Sequence, residues 1–341
     1  MVVTELRTSG RAPTTTLQGW RSFVASTAPN IELADTAALA AMTAARRESY
    51  DEQRISYHSE FVLAETSTVR KIANQGKILV MLNQREISAR RGLIVSGPWA
   101  SGKTTAIKLL GKTHELLVKR KYPDQRDRIP VVYITTPPKG SPKKLASEFA
   151  NFLGLPYRAR QNVTDIADAV CQVLTMAKTE LVIVDEIHNL NLATSAGEDM
   201  SDHLKYFTEH MQATFVYAGI NVENSGLFTG MRGRQICGRS VLMTTGPFPL
   251  TDEWDSLVAT LENGLRLHDH VPDTLTAQSQ YLHHRTGGSI SSLSHLIREA
   301  AILAILNGTE RIDRALLDDI ILDHAAESIA PRPAAMNPSN Q

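Results

Sequence analysis

The sequence predicts an α/β chain with a mostly parallel sheet, followed by a helical C-terminal region. Two observations carry this. Between Gly92 and Thr244, short apolar runs alternate with stretches of helical spacing, and the runs are apolar throughout, as strands covered on both faces must be. After Pro249 no strand-like run remains, and every periodic stretch has helical spacing.

Taken in order, the start, Met1–Ala28, is rich in Thr, Ser and Ala and reads as a loosely held arm, with Trp20 and Phe23 placed to pin part of it. Ala37–Glu65 is charged and helical. Val69, Ile72, Ala73, Leu79 and Leu82 define an amphipathic helix that ends before Arg91. Gly92–Val95 is a buried strand closed by Ser96-Gly97-Pro98. A helix carries Ala106, Leu109, Leu110, Thr113 and Leu117 on one face. Val131–Thr135 is a strand stopped by Pro137-Pro138. Helices follow near Lys143–Leu153 and Thr164–Lys178, then strands at Leu181–Val184, Thr214–Ala218 and Val241–Thr244. Helical stretches at Glu253–Leu267, Thr274–Arg285, Ser291–Asn307 and Arg314–Ala326 complete the chain before a Pro, Ala, Asn and Ser tail. The boundaries drawn on this basis are an arm at 1–46 open to partner contact, a nucleotide-binding domain with an N-terminal helical extension at 47–249, a helical lid at 250–329 and a disordered tail at 330–341.

Composition excludes several classes. The chain has 341 residues, 42% hydrophobic and 21% charged, which is ordinary for a folded globular protein. Its 36 basic residues balance its 36 acidic ones, so any contact with nucleic acid must come from a local patch. Cys171 and Cys237 lie far apart in no metal-like spacing. No signal peptide or membrane-length apolar run is present, so the expected setting is soluble and cytoplasmic, with no membrane partner.

The strongest motif is Gly97-Pro98-Trp99-Ala100-Ser101-Gly102-Lys103-Thr104, which fits G-x-x-x-x-G-K-[ST] between a buried strand and a helix. Gly102 frees the backbone to curl, so that successive amides point at phosphate oxygens, and the helix N-terminus adds partial positive charge. Lys103 brings a cation to the β- and γ-phosphates, Thr104 offers a hydroxyl to Mg²⁺, and Thr105 continues the turn. The implied cofactors are ATP and Mg²⁺.

The run Leu181–Val184 ends in Asp185-Glu186. A buried strand delivers such carboxylates to the carboxyl edge of the sheet, where ligands bind in open α/β folds. Asp185 is assigned to Mg²⁺ and Glu186 to polarising the attacking water. His188 and Asn189 either cap the next helix or sense nucleotide, and the structural role is favoured. Asn221, at the tip of the next strand, is the candidate to contact the γ-phosphate or the water. Arg232, Arg234 and Arg239 precede the last strand. An arginine there, supplied to a neighbouring subunit, stabilises charge in phosphoryl transfer, with Arg234 and Arg239 ranked first.

Two basic stretches stand out, Lys112–Arg128 and the trio Lys139, Lys143 and Lys144. They would neutralise backbone phosphates with little sequence preference, and the trio ranks first as a DNA contact.

Together, the phosphate loop, the acidic strand end, the polar strand tip, the arginines before the last strand and the helical lid resemble the AAA+ ATPases. Narrower strings are Gly92–Thr105, Thr135–Ser141, Ala218–Phe228, Thr286–Ile290 and Arg47–Arg54. These resemble the TniB/TnsC-type transposition ATPases, relatives of the phage Mu target-choice protein and of the archaeal Orc/Cdc6 branch. The resemblance implies ATP hydrolysis to ADP and phosphate, and head-to-tail assembly of a homo-oligomeric ring or helical filament on duplex DNA. It also implies recruitment of a DDE-type transposase alongside a target-selector protein, and disassembly on hydrolysis. One departure is the absence of an arginine in Ser289–Ser292, after the Gly-Gly turn, which points to slow turnover or to another residue such as Arg298. The competing readings are a signalling or defence switch ATPase, a helicase-loader ATPase and a small-molecule kinase. The last is disfavoured by Glu186 and by the lack of a substrate lid within the sheet domain.

Overall fold

The computed structural model describes residues 12–27, 30–60, 66–86, 88–138, 140–158, 160–190, 195–224 and 230–329. In chain order the elements begin with α1 (Leu17–Ala25), α2 (Thr36–Ala40), α3 (Ala44–Ser59) and α4 (Ser67–Asn83). Then come β1 (Gly92–Ser96), α5 (Lys103–Lys121), β2 (Val131–Thr135), α6 (Pro142–Leu153), α7 (Val163–Met176) and β3 (Leu181–Asp185). They are followed by α8 (Ser195–His210), β4 (Thr214–Gly219), α9 (Gly230–Gly238) and β5 (Ser240–Thr244). The chain closes with α10 (Asp252–Asn263), α11 (Ser279–Thr286), α12 (Ile290–Leu306), α13 (Arg314–Asp319) and α14 (His324–Ile329).

The five strands form one parallel sheet in the order β2-β3-β4-β1-β5. β2, β3 and β4 are buried almost throughout, which is why their sequences read as unbroken apolar runs. β5 is half-exposed, as befits an edge. Three expectations are modified. The helix expected over 37–65 is divided, because Thr43 caps α3 through a bond from the Arg46 amide to its hydroxyl at 3.4 Å. The helix expected over 314–326 is also two pieces: Asp323 accepts from the Ser292 hydroxyl at 2.6 Å and caps α14 at the Ala326 amide at 3.2 Å. And the stretch expected to be helical at 274–285 becomes an α-helix only from Ser279, after a single 3₁₀ turn at Thr276–Gln278.

The chain divides into two units. One comprises the sheet and its helices within 12–26, 68–99 and 103–245, and the other comprises 27–67, 100–102 and 246–329. Residues 27–67 thus group with the C-terminal helices.

In the first unit α1 is pinned by Trp20, which is fully buried. Its indole N–H donates to the buried Glu115 carboxylate at 2.6 Å, and its ring stacks on Tyr133 at 5.6 Å and 13°. The sequence placed Trp20 as such a pin. Lys112 donates to the Ser26 carbonyl at 2.5 Å and lies 5.3 Å from the Phe23 ring, so Phe23 takes part as well.

The second unit packs α3 and α10 against α12 around Trp254, Leu282, Leu293 and Leu296, and each of these is 0% exposed. Among these apolar residues sits a charged cluster. Arg54, 0% exposed, donates to Glu310 at 2.6 and 2.7 Å and to Asp51 at 2.5 Å. Burial alone would raise both carboxyls, but the Arg54 bonds and charge outweigh it and hold Glu310 and Asp51 below the ordinary carboxylate range.

His58, 5% exposed, accepts from the Arg266 amide at 3.2 Å. Burial, then the charges of Arg54 and Arg266, push it down to about 4. The folded form therefore keeps this imidazole neutral where the unfolded chain protonates it, so stability is full above about pH 6.5 and falls as pH drops toward 4. The expected loss over that window is about 3 kcal/mol. Urea unfolding at several pH values checks this. His58→Gln should flatten the slope between pH 6 and 4, and an unchanged slope would refute it.

Candidate active site

β1, β3 and β4 are adjacent, and their carboxyl ends meet at one edge of the sheet. The loop from β1 into α5 starts there, with the Gly97 amide bonded to the Gly219 carbonyl at 3.3 Å. A Cβ on Gly97 would lie 2.2 Å from Thr245 Oγ1 and 2.5 Å from its carbonyl oxygen, so only glycine lets the loop leave the sheet here. Ala100 (φ 56°) and Gly102 (φ 81°) are left-handed, which curls the loop and turns successive amides inward. Trp99 at its tip is 78% exposed.

Lys103 opens α5 and is buried. Its ammonium donates to the loop's own carbonyls, Gly97 at 2.9 Å and Pro98 at 2.5 Å. Burial lowers its pKa, while the charges of Glu186 and Asp185 oppose that. One residue on, the Thr104 hydroxyl donates to Asp185 Oδ2 at 2.9 Å. Asp185, 2% exposed, is surrounded by donors: the Tyr133 hydroxyl also reaches Oδ2, at 2.8 Å, and the Glu186 amide reaches Oδ1 at 2.9 Å. The amide and hydroxyl of Thr136 hold its carbonyl at 2.9 and 2.7 Å. Burial, then the negative charge of Asp185, raises the Tyr133 phenol, which keeps it a donor.

Glu186 is left-handed at φ 57°, a strained turn that lifts its side chain off the end of β3. His188 stands 3.3 Å from its carboxylate, while His188 Nδ1 accepts the Ile220 amide proton at 3.2 Å. His188 thus ties the acid to the exit of β4. Asn221 follows that exit, left-handed at φ 44° and exposed. Ser96, at the end of β1, accepts from the Val222 amide at 3.0 Å and donates to Glu223.

The sequence-predicted residues divide accordingly. Gly97, Lys103, Thr104, Asp185 and Glu186 converge. Arg234 lies on α9 and Arg239 just after it, both exposed. The Arg239 carbonyl accepts from Gly92, at the amino end of β1, about 16 Å along that strand from the loop. The structure therefore does not bring these arginines to the loop of their own chain. The side chain of Arg232 and the whole of Lys139 lie outside the described residues. Lys143 and Lys144 stand on the first turn of α6, capped by Ser141. Arg298 is committed elsewhere. It donates to the carbonyls of His58, at 2.8 Å, and Ser59, closing the end of α3. Sequence reasoning missed Tyr133, Thr136, the His188–Glu186 contact and Lys108, whose ammonium lies 4.9 Å from the Tyr133 ring and is lowered by burial.

The family described as bacterial TniB protein matches residues 54–228. No curated protein matches. Among solved structures, the Aeropyrum pernix ORC1 protein in complex with DNA aligns with a TM-score of 0.56 at 15% identity, covering 80% of this chain and 66% of that one. The chain thus spans just under two thirds of that protein's length. The ADP form of Aeropyrum pernix ORC2 gives 0.59 at 18% identity, covering 78% and 70%. The Drosophila ORC bound to DNA gives 0.52 at 11%, covering 86% and 68%. The shared fold is the AAA+ P-loop architecture, a parallel sheet with a helical C-terminal region. Among the described residues no helix is long and apolar enough to cross a membrane.

Proposed function

The chain belongs to the bacterial TniB family, and from that membership we propose that it is an ATP-hydrolysing, DNA-binding regulator of transposition. The observation that carries the reading is the meeting of Lys103, Thr104 and Asp185 at one edge of the sheet, with Glu186 alongside. The loop amides of Gly97–Thr105 receive the triphosphate. Lys103 exchanges its two carbonyl partners for phosphate oxygens, a stronger, charge-paired contact. A hydroxyl and a carboxylate already within bonding distance form the hard-oxygen donor set that suits Mg²⁺, so Thr104 and Asp185 would hold it. When bound, the ion neutralises charge on the phosphates. Tyr133 and Thr136 keep Asp185 aimed. Glu186 would take the proton of the attacking water, and Asn221 would contact the γ-phosphate or that water. Arg239, or Arg234 on α9, serves a neighbouring copy.

Head-to-tail contacts of that kind build rings or open helices. Duplex DNA is held by Lys143 and Lys144, with Lys139, through its backbone phosphates. The assembly recruits a DDE-type transposase and is released by slow hydrolysis.

Lys103→Ala is expected to weaken ATP binding about 100-fold through lost charge-assisted bonds. ATP-dependent retention on duplex DNA should vanish with it. Fluorescent-nucleotide titration and filter retention with a slowly hydrolysed analogue measure both. Nucleotide-dependent retention that survives in the variant would overturn the proposal.

A further inference from the structure

The two edges of the sheet are unlike. β2 is buried over Val131–Ile134, whereas no residue of β5 is buried; Leu242 is 47% exposed and Thr244 is exposed too. The strand Ser240-Val241-Leu242-Met243-Thr244 carries no charge and no proline, so it lacks the devices that ordinarily blunt a sheet edge.

The ladder fixes which groups are open. The Gly92 amide donates to the Arg239 carbonyl at 3.0 Å, and the Thr245 amide donates to the Ser96 carbonyl at 2.8 Å. Successive residues of a strand point their amides and carbonyls to opposite sides, so Val241 and Met243 face β1 while Leu242 and Thr244 turn theirs outward. Among the described residues no segment bonds those outward groups. Val241 and Met243 also pack their side chains against the core, which leaves the Leu242 side chain on the opposite, open face. The amino end of this edge is basic. Arg90 and Arg91 line a cavity together with Ser240, and neither is paired with a carboxylate among the described residues. Glu209, which lines it too, is held by Lys205 at 3.4 Å.

We propose that β5 is a docking edge for an extended acidic peptide of a partner protein, which adds a strand to the sheet. The peptide backbone completes the outward bonds of Leu242 and Thr244, one of its apolar side chains lies beside Leu242, and its carboxylates meet Arg90 and Arg91. In such strand addition the main chain supplies affinity and the flanking side chains supply selectivity. A second β5 suits the edge less well, because it brings no acid to the arginines. The proposal rests on the sheet unit alone and goes beyond the ATPase reading.

The test is fluorescence anisotropy of a labelled peptide of alternating valine and threonine, titrated with the full chain. Two versions carry a pair of aspartates at the amino or at the carboxyl end. Saturable binding of one version is expected, with a dissociation constant of about 100 µM or tighter. Methylating alternate backbone nitrogens of that peptide should abolish binding in one set and spare it in the other, since only one set faces β5. Lysines in place of the aspartates should weaken binding about fivefold, as should Arg91→Glu. Leu242→Pro removes an outward amide and leaves the β1 ladder its bonds, because proline is tolerated where an edge N–H faces solvent. It should weaken binding about tenfold with an unchanged circular dichroism spectrum. The peptide changes leave the protein untouched, so they decide the matter even where Leu242→Pro perturbs the fold. No saturable binding by either version, equal binding of both methylated sets, or equal binding of the lysine peptide would overturn the proposal. So would a parent protein that sediments as a dimer and is made monomeric by Leu242→Pro, since a second copy would then own the edge.

Discussion

Glu186→Gln should lower ATP turnover about 1,000-fold while leaving nucleotide affinity nearly unchanged. The amide preserves size and can still meet His188, but it cannot accept the proton of the attacking water. Lys103, Thr104 and Asp185 keep their contacts, because none of those bonds passes through the Glu186 side chain. Single-turnover phosphate release together with nucleotide titration separates the two effects. The proposed assembly on DNA should accumulate, because on that proposal hydrolysis is what ends it. Replacing His188 with alanine should cost less, since the carboxylate remains and loses only the imidazole 3.3 Å away that packs against it. A Glu186→Gln protein that turns over ATP at the parental rate would remove this residue from the mechanism.

The second large effect is on folding. Arg54→Met should destabilise the helical unit by about 3–5 kcal/mol, because it strands the nearly buried Glu310 carboxylate and removes the partner of Asp51. The guanidinium also packs 4.9 Å from the Tyr50 ring and donates to the Arg266 carbonyl at 3.2 Å. Methionine replaces the stem but none of these bonds. The double change Arg54→Met with Glu310→Met should recover much of the loss, since an apolar pair of similar volume needs no compensating charge. Urea unfolding of the two variants decides the matter. A double variant no more stable than the single would show that the cost lies in packing and not in the stranded charge.

Much of the candidate site was legible because its residues are contiguous. Gly97 to Thr104 form one loop, and Asp185 and Glu186 follow one apolar strand, so local pattern and strand burial were enough. Tyr133 was not legible. Its aromatic ring reads as a strand residue, and its tie to Asp185 spans 52 positions. The Arg54–Glu310 pair spans 256. Such contacts depend on how the helices and strands pack, which no local spacing encodes. α8 did leave a signal: Met200, Leu204, Phe207 and Met211 recur at helical spacing and are buried. It was obscured by the acids and histidines between them. Arg298 was offered as a lid residue from its place after the Gly-Gly turn, but carbonyls at the end of α3 engage it.

The Trp20–Tyr133 stack has a mechanical meaning. The first helix is bolted to the underside of a ring whose far rim grips the carboxylate beside Lys103 and Thr104. Force applied to α1 is therefore delivered, through two flat surfaces in series, to the Asp185 carboxylate.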